Sequence, residues 1–148
     1  MKDSKDHVIR ENTARLLRDA GIKQESIYYH KPYYDALDKT VRRCAIVARK
    51  PPQRSEVLTP EERAMQPSSA FLSSEIGELL PMQIMHSDPE HKIHQFYIEK
   101  SMVGWSAGYI CLGCKGSLFM IVGSNLQEAM AHCLLEVIRR KLLIISQV

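Results

Sequence analysis

The chain has 148 residues, of which 45% are hydrophobic and 25% charged, and its formal net charge is +3. This apolar share is enough for one core and, with only 7 glycines and 7 prolines, excludes collagen-like, low-complexity and globally disordered proteins. The charge is too small to identify a nucleic-acid-binding protein by itself. No run of about 18 apolar residues occurs, and the N-terminal residues lack a signal peptide's apolar region. We therefore expect a cytoplasmic protein that does not contact membranes and whose four cysteines are reduced.

The first part of the chain predicts one helix and two strands. Apolar residues recur at helical spacing over residues 6–20, so we expect an amphipathic helix there. Residues 26–30 are aromatic and predict a short strand. Pro32 follows this strand, and proline has no N–H to donate to a sheet ladder. Residues 41–49 predict a second strand, with one face in the core and the other near a sheet edge.

The middle of the chain loses this periodicity. The segment of about 50–67 is polar and rich in proline, which predicts an irregular surface excursion holding no more than a helical turn capped by Thr59. A second helix is expected over residues 68–80, with Ser68 or Ser69 as its cap. The histidine-bearing residues 86–92 predict a loop.

The last part of the chain predicts a β-meander followed by a helix. The three strands are expected at residues 93–99, 104–112 and 116–122. The first turn would run through residues 100–103, and the second, at residues 113–116, is a glycine-bearing loop of hairpin length. A helix over residues 124–141, capped by Ser124 or Asn125, would cover the apolar side of the meander. Together these elements predict a single α+β domain spanning residues 1–148. It would hold an antiparallel sheet of four to five strands and two or three helices, with helices packed on one face of the sheet.

Three segments of the chain carry a resemblance to a known group of proteins. They are the opening helix at residues 13–22, a proline-initiated helix closed by Leu-Leu-Pro at residues 67–81, and the acidic start of the last helix at residues 126–130. In these segments the chain resembles small uncharacterised proteins of bacteriophages and prophages of gut bacteria. The insert near residues 50–66 departs from that pattern. The resemblance implies a phage or mobile-element origin but no catalytic residue or cofactor.

A cluster of basic residues in the first half suggests a nucleic-acid interface. Cations could position phosphates while nearby tyrosines stack on bases. Strand alternation would place Arg42 and Arg43 on opposite faces, and basic residues on an edge strand also discourage aggregation, so the edge-protection interpretation stays open. The cations are Lys39, Arg42, Arg43, Arg49, Lys50 and Arg54, and the tyrosines are Tyr28, Tyr29, Tyr33 and Tyr34.

Cysteines and histidines offer two candidate metal or redox sites. Cys111 and Cys114 form a C-x-x-C pair, which could be half of a zinc site or a redox pair, although no second pair of ligands is evident and the motif lies at a hairpin tip. His86, His91 and His94 could also be drawn around a metal by a loop. The alternatives are that the cysteines pack in the core or fill a turn, and that the histidines lie in a solvated loop.

These patterns lead to three functional hypotheses. The first is an interaction or accessory protein, without enzymatic activity or cofactor, that acts through contacts with a protein partner or through self-association. The second is a weak nucleic-acid-binding protein that uses residues 39–54 and the nearby tyrosines. The third is a metal- or thiol-dependent activity at Cys111 and Cys114. The sequence shows no nucleophile–base pair that would favour an enzyme.

Overall fold

The computed structural model describes residues 7–51, 58–85, 93–111 and 116–142. It is an α+β structure, as the sequence predicts, but its strands form two antiparallel sheets instead of one. The first sheet has three strands in the order β2-β1-β3 and the second has four in the order β4-β5-β6-β7. The helices are α1 (Glu11–Asp19), α2 (Pro60–Ala64), α3 (Ser73–Leu79) and α4 (Leu126–Arg139). The strands are β1 (Tyr29–Tyr34), β2 (Arg42–Val47), β3 (Ser68–Ser69), β4 (Gln83–Met85), β5 (Ile93–Ser101), β6 (Gly104–Cys111) and β7 (Ser117–Gly123).

The predicted meander and its covering helix are confirmed. Strands β5, β6 and β7 pair consecutively, and α4 packs against β6 and β7. Leu134 and Val137 of α4 are fully buried in the core. Tyr109 lies at the centre of the sheet between the rings of Phe96 and Phe119, at centroid distances of 5.6 and 5.7 Å. Its hydroxyl donates a hydrogen bond to a backbone carbonyl oxygen, that of Pro81, at 2.6 Å.

The predicted first helix starts later than its periodicity indicates. Its first turn begins at Glu11 because the preceding residues are extended and pair elsewhere. Val8 forms a β-bridge with Leu72, and the Ile9 N–H donates to the Phe71 carbonyl oxygen at 3.1 Å. The amphipathic stripe is also shifted, since Leu16 is 50% exposed. Packing of residues 7–10 against the chain before α3 therefore overrides the local helical pattern.

The first predicted strand is displaced, and it includes the proline that was expected to follow it. Strand β1 covers Tyr29–Tyr34, with Pro32 opposite Cys44 of β2. On its other side β1 pairs with β3 only at Tyr29 and His30. Beyond His30 this side of β1 is an edge, so the missing N–H of Pro32 removes no ladder hydrogen bond there.

The predicted helix over residues 68–80 is wrong in its first third. Ser68 and Ser69 form strand β3, both fully buried, and α3 begins only at Ser73. The Ser69 N–H donates to the side-chain oxygen of Gln24 at 2.8 Å, so this backbone serves the first sheet instead of a helix. Within α3, Gly77 packs closely against α4, because a Cβ there would lie 3.3 Å from the terminal methyl of Met130.

Candidate anion-binding site

Three cations surround one cavity at the end of strands β1 and β2. Lys31 projects from β1 on the same face as Val47 of β2, because the register pairs Lys31 with Ala45, two residues before Val47. The chain leaving β2 adds Arg49 and Lys50. These side chains line a cavity of about 440 Å³, together with Val47 and Pro51.

A second cavity of about 560 Å³ shares Lys31 and Pro51 with the first. The second cavity lies beside the part of β1 that β3 leaves uncovered, and we call the two together the basic groove. Tyr34, which is 52% exposed, lines it. Glu61 and Glu62 of α2 line it as well, so the groove is basic at the Lys50 end and acidic at the α2 end.

The three cations of the basic groove are not neutralised by described residues. Salt bridges in the described part of the chain involve other basic side chains, and none includes Lys31, Arg49 or Lys50. Arg49 and Lys50 are exposed to solvent. Among the described residues their charges are not paired, so an anion that enters the groove would replace solvent around them.

The two predicted arginines of β2 are already paired within the fold. Arg42 forks onto the carboxylate of Glu11 and also donates to the Ala64 carbonyl oxygen at 2.9 Å. Burial alone would raise the pKa of Glu11, but its hydrogen bonds and the charge of Arg42 outweigh burial and hold that pKa below its usual value. Arg43 on the opposite face donates to Asp35 at 2.5 Å. The predicted basic stripe is thus divided, and Arg42 and Arg43 do not line the basic groove.

The tyrosines proposed for base stacking have different environments. Tyr29 is only 3% exposed, and its hydroxyl accepts a hydrogen bond from the Ser26 N–H at 3.1 Å, so its ring offers no face to a base. Tyr28 is half-buried, while Tyr33 and Tyr34 are exposed. Arg54 lies outside the described residues. The stacking surface beside the cations is therefore Tyr34, which the sequence analysis grouped with the other tyrosines.

The predicted metal sites fall largely outside the described residues, and they stay predictions. Cys111 is disulfide-bonded, so the expectation that all four cysteines are reduced is wrong. Its predicted C-x-x-C partner, Cys114, lies outside the described residues, as do His86 and His91. His94 is buried on β5. In the part of the chain that the structure describes, no three His, Cys, Asp or Glu side chains come together as metal ligands would.

Sequence reasoning missed a buried carboxylate that joins two helices. Glu128 of α4 is 4% exposed and accepts hydrogen bonds from the Arg10 N–H at 2.5 Å and the Thr13 hydroxyl at 2.6 Å. Burial alone would raise the pKa of Glu128, but these bonds and His132 outweigh it and lower that pKa. The sequence shows Glu128 only as a residue three positions after a helix cap, and nothing local indicates its distant partners.

Comparison of the chain with family models, curated proteins and solved structures finds no match. The resemblance to phage and prophage proteins therefore stays a prediction. None of the described helices has the length and apolarity needed to cross a membrane.

Proposed function

We propose that the protein binds single-stranded nucleic acid through the basic groove. The observation that carries this proposal is the convergence of Lys31, Arg49 and Lys50 on one cavity without an ion-pair partner among the described residues. Backbone phosphates are the anions that such a row of cations attracts, and their binding releases condensed counterions. Tyr34 adds an exposed aromatic ring beside the cations, as in proteins that stack single-stranded bases.

The groove favours a short single strand over a duplex. A duplex buries its bases, so Tyr34 could not stack on them, whereas a single strand exposes every base face. The carboxylates of Glu61 and Glu62 repel phosphates at the far end, so the phosphates are expected near Arg49 and Lys50 and the bases near Tyr34. About three phosphate contacts predict weak binding that depends on ionic strength.

The test is fluorescence anisotropy with a labelled single-stranded DNA oligonucleotide of mixed sequence at low ionic strength. An ion contact at about 4 Å is worth about 1 kcal/mol in a water-like dielectric, so reversing one charge costs about 2 kcal/mol, or about 30-fold in affinity. We expect Arg49→Glu to show such a loss. Lys100→Glu makes the same change of charge on β5, in the other sheet, and is expected to lose much less.

Two results would contradict the proposal. Equal losses in Arg49→Glu and Lys100→Glu would mean that only the net charge of the protein attracts the DNA. Absence of binding by the wild-type protein at low ionic strength would remove the function altogether. A matched duplex should bind more weakly than the single strand, because it cannot use Tyr34.

A second candidate function, self-association, is favoured by the outer face of the meander. This face is opposite the one that α4 covers, and it exposes Ile93, Tyr97 and Val122 by 38%, 39% and 61%. Met120 lies across Gly108, where a Cβ would come within 2.7 Å of its sulfur, so the Met120 side chain covers the middle of this face. Exposed apolar side chains on an open sheet face fit the self-complementary contact of a two-fold dimer.

Sedimentation velocity over a range of protein concentrations tests this second function. We expect a monomer–dimer equilibrium that Val122→Lys shifts to monomer. Leu16→Lys changes another exposed apolar residue, on α1, and should leave the equilibrium unchanged. A monomer at every concentration would exclude self-association through this face.

A further inference from the structure

Strands β1 and β2 bring a thiol and an imidazole together from positions 14 residues apart. The register pairs His30 with Ile46 and Pro32 with Cys44, so His30 and Cys44 are diagonal neighbours on one face of the sheet. The Cys44 sulfur lies 3.8 Å from Nδ1 of His30, within hydrogen-bond distance for sulfur. This supplies the nucleophile–base pair that the sequence analysis did not find.

A backbone carbonyl fixes which nitrogen of His30 carries the proton. Nε2 lies 2.7 Å from the Ile9 carbonyl oxygen, and His30 is only 5% exposed. A carbonyl oxygen can only accept, so Nε2 must be the N–H donor of this bond. In the neutral ring Nδ1 then has a lone pair that faces the Cys44 thiol. An imidazole oriented by a third group beside a thiol is the arrangement that activates cysteine nucleophiles.

The charged groups around His30 support transfer of a proton to it. Burial lowers the pKa of His30, which keeps the ring neutral and basic, while the Ile9 carbonyl and the charges of Glu11 and Glu128 act in the opposite direction and stabilise the protonated ring. Glu11 also hydrogen-bonds the Cys44 side chain, but Arg42 helps to lower the pKa of that carboxyl group, which makes it a weaker base than an imidazole. The Ala45 carbonyl oxygen, 3.8 Å from the sulfur, can accept a hydrogen bond but cannot take up a proton. His30 is therefore the base of this group.

We propose that Cys44 is a site of covalent modification, where its thiol adds to electron-poor alkenes such as α,β-unsaturated carbonyl compounds, with His30 as the general base. The thiol proton passes to Nδ1 as the sulfur attacks the alkene carbon β to the carbonyl group. A carbon–sulfur bond forms, the carbon–carbon π bond breaks, and the resulting enolate carbon takes the proton back from His30. No oxidant and no leaving group are needed.

Cys44 is less deeply buried than the other described thiol. Cys44 is half-buried, whereas Cys133 is fully buried on α4. Burial raises the pKa of the Cys133 thiol to about 12, and no imidazole is bonded to it among the described residues. Cys133 is therefore an internal reference for a thiol that the fold protects.

The experiment measures the rate at which N-ethylmaleimide adds to Cys44 in the native protein, from about pH 5.5 to 9. The reaction is quenched at intervals, and the adduct is located and quantified by peptide mass mapping. At pH 7 an imidazole-activated cysteine with a pKa of about 7 has about 15-fold more thiolate than a cysteine with the ordinary pKa of about 8.5, and its lower nucleophilicity reduces the gain in rate about fivefold. We therefore expect His30→Gln to react about threefold more slowly at pH 7. The midpoint of its pH profile should move up to about 8.5. His7→Gln, an exposed histidine, should match the wild type.

Identical rates and pH profiles for wild type and His30→Gln would overturn the proposal, as would a Cys44 that reacts no faster than Cys133. If circular dichroism shows that His30→Gln does not fold, the wild-type profile decides alone. A midpoint clearly below that of N-acetylcysteine supports activation by His30, and a midpoint at or above it refutes activation. Cys44→Ser, which should lose only the adduct at position 44, confirms the mapping.

Discussion

The buried carboxylate of Glu128 allows the sharpest stability prediction. Its two oxygens accept hydrogen bonds from the Arg10 N–H and the Thr13 hydroxyl, at 2.5 and 2.6 Å, and so join α1 and the chain before it to α4. A hydrogen bond to a charged group contributes about 1.5–3 kcal/mol, and a buried donor left without its acceptor adds a desolvation cost. We therefore expect Glu128→Ala to lower the free energy of unfolding by about 3–5 kcal/mol. Thr13→Val removes one of the two bonds and should cost about 1.5–3 kcal/mol.

Urea unfolding followed by circular dichroism measures both changes. Glu78→Ala is the matched control, since Glu78 is an exposed glutamate on α3, and it should change stability by less than about 0.5 kcal/mol. The double variant of Glu128 and Thr13 should cost less than the sum of the two single changes, because both remove the same bond. A loss in Glu128→Ala no greater than that in Glu78→Ala would refute the reasoning.

Two further predictions concern close packing and pH. Gly123→Ala should lower stability by about 2 kcal/mol or more, because its Cβ would lie 2.5 Å from the backbone nitrogen of Ala129, and an unchanged thermal midpoint would contradict this packing. The folded-state pKa of Glu128 is below its usual value of 4.5, so its contribution to stability is complete above that value and is lost as the pH falls. Urea midpoints from pH 7 to 3 should therefore fall more steeply in the wild type than in Glu128→Gln, and parallel curves would contradict the lowered pKa.

The last third of the fold was predictable because its patterns are long. The helical period over residues 124–141 and the turns on either side of residues 104–112 each determine the conformation of many residues at once. Helix α4 and the meander form where these patterns predict them. Strand β3 has only two residues, Ser68 and Ser69, and exists because the backbone of β1 lies beside it. Such a short strand shows no alternation in the sequence, so the two serines alone suggested the cap of a helix.

The candidate site was predictable only in its contiguous part. Arg49 and Lys50 are neighbours in sequence, and the basic segment around them was visible. Lys31 joins them through the pairing of β1 with β2, which depends on a register that one sequence does not reveal. Arg42 does not contribute to the basic groove, because its charge is neutralised by Glu11, 31 residues earlier in the sequence. Local charge counting cannot distinguish a cation paired within the fold from one that faces solvent.

The salt dependence of single-stranded DNA binding tests the central claim most directly. For a single strand the logarithm of the binding constant falls with the logarithm of salt concentration by about 0.7 per phosphate neutralised, so the three cations of the basic groove predict a slope of about −2. Replacing Arg49 and Lys50 together by glutamine should reduce it to about −0.7, while Lys100→Gln should keep it near −2. Equal slopes for the wild type and the double variant would show that the basic groove does not hold the DNA.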